Sequence, residues 1–326
     1  MKINATYVKM KNLTNQISGY FNTTQWFIVL LIVVVYASFM AKNMRRNGIR
    51  TEHFSDYEAR RSCEQIYDSF YAGIYNDLFK SDLRQQFEVY NIKAYSVDNT
   101  MFAKNANFLD IGCGTGEHLK LLMNDGFKVT GIDTSNAMLT QAKKATNANC
   151  SLIRVSALTT ATFPPNTFTH AMMMFFTIYY FKPDDLPRLF KNINKWLKPR
   201  GFFIVHLVNP DLFDPVLERA SSMVPLYNPQ KHSKKRKTET KMFFDKFNYV
   251  ADWSLDREPA DFIENFTYED GSTMRRHEHQ LHMLPIKYYV DCARDNGFGL
   301  HKVIDLAPAR HIYNYLYIFK KKEDVV

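Results

Sequence analysis

The stretch Phe108-Leu-Asp-Ile-Gly-Cys-Gly-Thr-Gly116 constrains the fold of this chain more than any other. An apolar run of strand length passes into three alternate glycines and then into a helical pattern. Glycine has no Cβ, so the main chain at 112, 114 and 116 can approach a ligand where a side chain would collide. The helix that follows presents unpaired N–H donors at its first turn. An acid, Asp133, comes seventeen residues after Gly116, at the end of the next predicted strand, where it can accept hydrogen bonds from ribose hydroxyls. A nucleotide-like ligand fits this arrangement.

Strands and helices alternate on either side of that turn. The patterns predict strands over 107–111, 127–132, 151–155, 171–176 and 202–207, and helices over 117–124, 135–145 and 182–197, the last ended by Lys198-Pro199-Arg200-Gly201. A helical face precedes them at Tyr67, Phe70, Tyr71, Ile74, Tyr75 and Leu78. From 209 to 284 the rhythm breaks into prolines, a basic run and short alternating stretches at 262–268 and 274–281, read as an inserted β-rich lid. A helix over 286–296 and strands over 300–305 and 312–319 complete the chain. The expectation is an α/β fold: a doubly wound, mostly parallel seven-stranded sheet with helices on both faces.

Seven of the nine net positive charges lie in residues 1–50, leaving the other 276 residues with a net charge of only +2. That is too little for a nucleic-acid footprint spread over the domain, so nucleic acid is not expected as a partner. The basic residues flank Trp26–Ala41, an uncharged apolar run of about 16 residues that becomes long enough for a membrane helix if it extends back over Tyr20 to Gln25. Tyr20 and Trp26 stand where interfacial aromatics belong, and Lys42, Arg45 and Arg46 follow at once. The reading is a tail over 1–25, a single-pass anchor over 26–41, a linker over 42–60 and a catalytic domain over 61–326 on the cytosolic side of a membrane. A cleaved signal peptide is the alternative. Four scattered cysteines without a Cys-x-x-Cys pair fit reduced thiols and argue against a structural zinc site or disulfide framework.

Asp110 separates the candidate ligands. A carboxylate two residues before the first glycine would repel a pyrophosphate, whereas the ammonium of a bound amino acid would attract it. Here LDIGCGTG resembles the first motif of the class I S-adenosylmethionine-dependent methyltransferases, and the resemblance extends over about residues 60–320. It implies S-adenosylmethionine as cofactor, with the glycine loop against its methionine part and Asp133 holding the ribose. The candidate cofactor shell is Tyr71, Asp110, Gly112, Cys113, Gly114, Gly116, Asp133, Thr134, Ser156, Ala157 and Phe175. Trp196-Leu-Lys-Pro-Arg-Gly201 and Pro164-Pro-Asn-Thr-Phe168 are similar to later landmarks of that family. Two positions depart from it: Ser156 stands where an Asp often meets the adenine amino group, and Thr169 where an Asp often precedes strand four.

Methyl transfer from a sulfonium is an in-line displacement that rests mainly on positioning, with a base needed only when the acceptor must lose a proton. Aromatic faces stabilise cations, so Phe175, Phe176, Tyr179 and Tyr180, with Tyr67, Tyr71 and Tyr75, are candidates for the acceptor side. Tyr179 and His279 are the candidate catalytic residues. In Arg275-Arg-His-Glu-His-Gln-Leu-His282, a strand would put His277 and His279 on one face and His282 on the other, which spoils a three-histidine metal site, and no metal is expected. The run Lys231–Lys237 suits a patch meeting phosphate or anionic lipid. The leading expectation is methylation of a small molecule or lipid headgroup near a membrane. Methylation of RNA or protein, or cofactor binding without catalysis, remain alternatives.

Overall fold

The computed structural model describes residues 59–98, 100–147, 150–216 and 238–323. The expected tail, the anchor over 26–41, the linker up to 58 and the basic run 231–237 lie outside the described residues. Among the described residues no helix is long and apolar enough to cross a membrane.

Three helices open the domain: α1 (Cys63–Ile66), α2 (Ser69–Phe79) and α3 (Asp82–Ile92), which runs on into a π-helical turn (Lys93–Val97). The single helical face expected at Tyr67–Leu78 is thus broken at Asp68. Its carboxylate accepts from the N–H groups of Phe70 (3.1 Å) and Tyr71 (3.2 Å) and starts a fresh helix. Then follow β1 (Asn107–Ile111), α4 (Glu117–Asn124), β2 (Lys128–Asp133), α5 (Asn136–Ala145), β3 (Ser151–Arg154), β4 (Phe168–Met173), α6 (Leu186–Trp196) and β5 (Leu197–Val208). A second group of strands, β6 (Thr240–Phe243), β7 (Asn248–Ser254), β8 (Ala260–Thr267) and β9 (Thr273–Leu281), precedes α7 (Ile286–Asp295), β10 (Phe298–Asp305) and β11 (Asn314–Lys321).

The first sheet has seven strands in the order β10-β11-β5-β4-β1-β2-β3. The pairs β2–β3, β1–β2, β1–β4 and β4–β5 are parallel, and β11 runs antiparallel to both its neighbours. Continuous burial of Phe108–Ile111 and Phe168–Met173 is what a parallel sheet covered on both faces requires. One cover is α6, whose Leu186, Leu189, Phe190, Ile193 and Trp196 are all fully buried. At roughly 1.5–3 kcal/mol for each such side chain removed from water, that stripe alone is enough to dock the helix.

Two strands differ from expectation. Strand β4 ends at Met173, not Phe176, because Phe175 takes a left-handed backbone (φ 52°) and leaves the sheet. Strand β5 begins at Leu197 and absorbs Lys198–Gly201, with an irregularity in its register against β4. The four-stranded antiparallel sheet β6-β7-β8-β9 had been expected only at β8 and β9. Arg60 pairs with His277 at its β9 edge, so the chain entering α1 is stitched to this second sheet. The His282 N–H, which donates to the Tyr179 carbonyl (2.7 Å), ties the sheet to the segment after β4.

Candidate active site

A cavity of about 570 Å³ opens at the carboxyl ends of β1, β2 and β4, walled by α2 and by Trp253, Phe262 and Leu281 from the second sheet. This is where open parallel sheets bind ligands. The three glycines there act for three reasons. At Gly112 a Cβ would lie 2.4 Å from Thr177 Cγ2, so the turn can pass under that side chain only without one. Gly114 (φ 53°) has open space where a Cβ would be, and its N–H donates to Asp133 (3.0 Å). Gly116 (φ 82°) is a packing residue: a Cβ would meet Cα and Cβ of Ala142 at 2.9 Å, so it serves the approach of α4 to α5 and not the cavity wall where it had been expected.

Asp133 is fixed by that bond and by the Ser135 N–H (2.8 Å); burial lifts its carboxyl above the ordinary range while the two amides pull it down. Asp110 is more strained. It is buried in the cavity wall, its Oδ1 makes no hydrogen bond among the described residues, and burial raises its carboxyl to about 7, with Asp133 and Glu88 adding to the rise and His118 opposing it. A buried carboxylate oxygen without a donor is costly unless a ligand supplies one, and a cationic amine is the donor such a group suits best. The residues therefore fit the methionine end of S-adenosylmethionine.

Close by, α3 contributes Arg84, whose guanidinium lies 4.3 Å from the centre of the Phe175 ring and 3.6 Å from Glu88. Burial pushes the Glu88 carboxyl up, but the His118 hydrogen bond (2.7 Å) and the Arg84 charge outweigh it and hold the group at about 2. Arg84 and His118 both line the cavity and were missed in the sequence. The signal for Arg84 was its spacing of four from Glu88 on one helical face. Asn76 clamps the loop to α2, accepting from Thr115 Oγ1 (2.7 Å) and donating to Glu117 (3.0 Å).

The other expected shell residues, Tyr71, Cys113, Thr134, Ser156, Ala157 and Phe175, all line the cavity. The Ser156 hydroxyl accepts from the Leu158 N–H (3.2 Å). Thr169 is elsewhere, buried at the start of β4, with its hydroxyl on the Asn107 backbone and on His170, which explains why no acid is needed there. Tyr179, expected as catalytic, is corrected: its hydroxyl accepts from the buried Val208 N–H (2.7 Å) and its ring packs on Tyr289, away from the cavity. Its neighbour Tyr180 takes the wall position.

His279 lies one hydrogen bond behind the wall, in a buried cluster around Glu264. Oε1 of Glu264 accepts from the hydroxyls of Tyr71 (2.8 Å) and Tyr249 (2.7 Å); its Oε2 lies 3.0 Å from His277 Nδ1 and 2.8 Å from His279 Nε2. Burial raises Glu264, and the two histidines more than reverse it, to about 2. Donor atoms of Glu264, His277 and His279 converge within 4.8 Å, but they spend their lone pairs and protons on one another, which makes the group a hydrogen-bonded cluster. Glu264 was also missed, although it is the one acid in the inward register Ala260, Phe262, Glu264, Phe266.

Residues 108–201 match the profile of a family described as "Methyltransferase domain", a segment that holds the glycine loop, Asp110 and Asp133. That match identifies the segment as a methyltransferase domain. It is 25 % identical over 204 residues to Bacillus subtilis YqeM, covering 61 % of this chain and 76 % of that protein. Among solved structures it is similar to the CcbJ methyltransferase of Streptomyces caelestis (TM-score 0.59, 14 % identity, 80 % of this chain and 100 % of that one). It is also similar to CalS10 of Micromonospora echinaspora, an amino pentose methyltransferase solved with S-adenosylmethionine bound (TM-score 0.56, 16 % identity, 80 % and 100 % coverage). At these identities the structural likeness concerns the fold.

Proposed function

We infer that this methyltransferase acts on a small-molecule acceptor enclosed beside the cofactor, with a lipid headgroup as the variant that a membrane tether would favour. When bound, the cofactor supplies an activated methyl group on a sulfonium sulfur. The chain's own residues divide the remaining work. Asp110 would receive the cofactor's ammonium and Arg84 its carboxylate, while Asp133, pinned by two amides, would accept from the ribose hydroxyls. Ser156 and Ala157 lie beyond Asp133 for the base. Phe175, Phe176, Trp253 and Phe262 exclude water from the acceptor end and give a cationic group aromatic faces.

The observation that carries this reading is the lining: α2 and the second sheet wall the acceptor end with tyrosines, Trp253, Phe262 and Leu281. A macromolecular acceptor would need an open basic cleft instead. CalS10, by its name, methylates an amino pentose, in keeping with an acceptor of that size. Calorimetry with S-adenosylmethionine, then transfer of labelled methyl to sugars, amines, phospholipid headgroups, RNA and protein, tests it; label in RNA or protein alone would overturn it. The tether over 26–41 is a separate proposal. The full chain should partition into vesicles and the chain lacking residues 1–45 should not, and equal partitioning of the two would refute an anchor.

A further inference from the structure

Two histidines share the Glu264 carboxylate, yet only one has a route to the cavity. The four donors gathered on Glu264 require it to be ionised, and an ionised carboxylate only accepts. The proton of His277 must therefore sit on Nδ1. Its Nε2 is then the lone-pair nitrogen, and Arg275 Nε, 2.5 Å away, occupies it. By the same reasoning the proton of His279 sits on Nε2, which leaves Nδ1 as an acceptor for the Tyr180 hydroxyl at 2.8 Å. Tyr180, having donated there, can only accept from the Tyr67 hydroxyl at 2.7 Å. The chain of donors thus runs one way, from Tyr67 through Tyr180 to His279, and both tyrosines line the cavity.

We propose that Tyr67, Tyr180 and His279 form a proton relay, anchored by Glu264, that deprotonates an amine acceptor for methyl transfer. This rests on the reading of the cavity as the acceptor site. A primary or secondary amine reaches the site as an ammonium ion at neutral pH. Its N–H bond breaks as an O–H bond forms on Tyr67. The original Tyr67 proton moves to Tyr180 and that of Tyr180 to His279 Nδ1. The nitrogen lone pair set free forms the new N–CH3 bond while the S–CH3 bond breaks, its electron pair remaining on sulfur. Charge is conserved throughout: an ammonium facing apolar walls becomes an amine, and the imidazolium that replaces it touches a carboxylate. The Glu264 carboxylate, 2.8 Å from His279 Nε2, faces the imidazolium so formed.

The groups facing His279 are Glu264 from β8, Tyr180 from the segment after β4, Tyr67 between α1 and α2, Tyr71 from α2, and His277 on its own strand, with Arg275 behind the latter. Of the two histidines on Glu264, His279 alone has its second nitrogen linked to the cavity, through Tyr180, whereas that of His277 is taken by Arg275. This distinguishes a relay from a merely structural cluster, in which both imidazoles would be locked as His277 is.

The test uses the full chain, saturating labelled S-adenosylmethionine and a library of primary and secondary amines (amino sugars, phosphoethanolamine, polyamines, arylalkylamines) beside matched alcohols, phenols and thiols. Label should enter amines. With the best amine, Tyr180→Phe, which keeps the ring and the fold, should lower kcat by roughly 10²-fold or more with cofactor affinity within about threefold. Its rate should climb about tenfold per pH unit above 7 as hydroxide replaces the relay, whereas the wild type levels off. Independently of turnover, nitrogen NMR of the histidines should show His279 as the Nε2–H tautomer and should show its Nδ1 resonance move in Tyr180→Phe. Parallel pH profiles for the two proteins, an Nδ1–H tautomer, or label only in alcohols, phenols or thiols would each overturn the relay. Cofactor binding with no labelled amine overturns the amine assignment. Failure to bind the cofactor at all strikes the reading of the cavity on which the relay rests.

Discussion

Asp110, as the proposed receiver of the cofactor's ammonium, should make cofactor affinity a function of pH near neutrality. With its carboxyl at about 7 in the ligand-free protein, the ionised fraction is roughly one in eleven at pH 6, about half at pH 7 and about ten in eleven at pH 8. The cationic end of S-adenosylmethionine needs the ionised form, and apparent affinity scales with the population of the competent state. The dissociation constant should therefore weaken about tenfold from pH 8 to pH 6, or about 1.4 kcal/mol. Binding at pH 7 should release about half a proton, measurable by calorimetry in buffers of different ionisation enthalpy. Asp110→Asn should abolish the pH slope and, by losing a charged hydrogen bond, weaken binding at pH 8 by roughly 1.5–3 kcal/mol. The same group works against the ligand-free fold. Its folded pKa lies above the unfolded value, so the native state binds more protons and stability falls as pH rises between the two. Asp110→Asn should consequently raise the melting temperature of the ligand-free protein at pH 8 while spoiling ligand binding. An affinity flat from pH 6 to 8, or proton uptake on binding, would refute the placement of the ammonium.

Gly114→Arg should leave the fold intact, since a Cβ there meets nothing within 4 Å; the left-handed backbone costs about 1–2 kcal/mol, a few degrees by circular dichroism, while calorimetry should find no cofactor binding. Gly116→Val should do the reverse. Its Cβ strikes the Ala142 backbone at 2.9 Å, so the melting temperature should fall by the equivalent of roughly 2–4 kcal/mol, with cofactor affinity retained by the folded fraction. Tyr179→Phe orphans the buried Val208 N–H and should cost about 1–3 kcal/mol of stability without changing the rate of methyl transfer.

The sheet was legible where sequence pattern and burial report the same physics. Strand β1 and helix α4 were predicted residue for residue because an apolar run buried on both faces abuts a glycine turn that fixes where it stops. Strand β4 was misplaced by three residues because Met172–Phe176 is apolar throughout, and periodicity cannot tell a strand from a loop that is buried for another reason, here lining a cavity. Strands β6 and β7 escaped notice because β6 is short and largely exposed and β7 carries Asn248, Asp252 and Ser254 on its outward side.

The turn after β1 and Asp133 at the end of β2 were readable because main-chain geometry dictates them. Glycines at fixed spacing and an acid at a strand end are local requirements, and local requirements leave local patterns. The opposite wall of the cavity and the cluster behind it are assembled from Tyr67, α2, the turn after β4 and three strands of the second sheet, whose members lie more than two hundred residues apart in sequence at the extremes, Tyr67 and His279. Nothing near His279 distinguishes it from His277. The difference arises only because Arg275, two residues away on the same face, blocks one imidazole, while Tyr180, ninety-nine positions earlier in the chain, reaches the other. An acid in the inward register of β8 was the one local sign that such a cluster existed. Burying an unpartnered carboxylate there would cost several kcal/mol, so Glu264 by itself implied that the fold must bring donors to it from elsewhere in the chain.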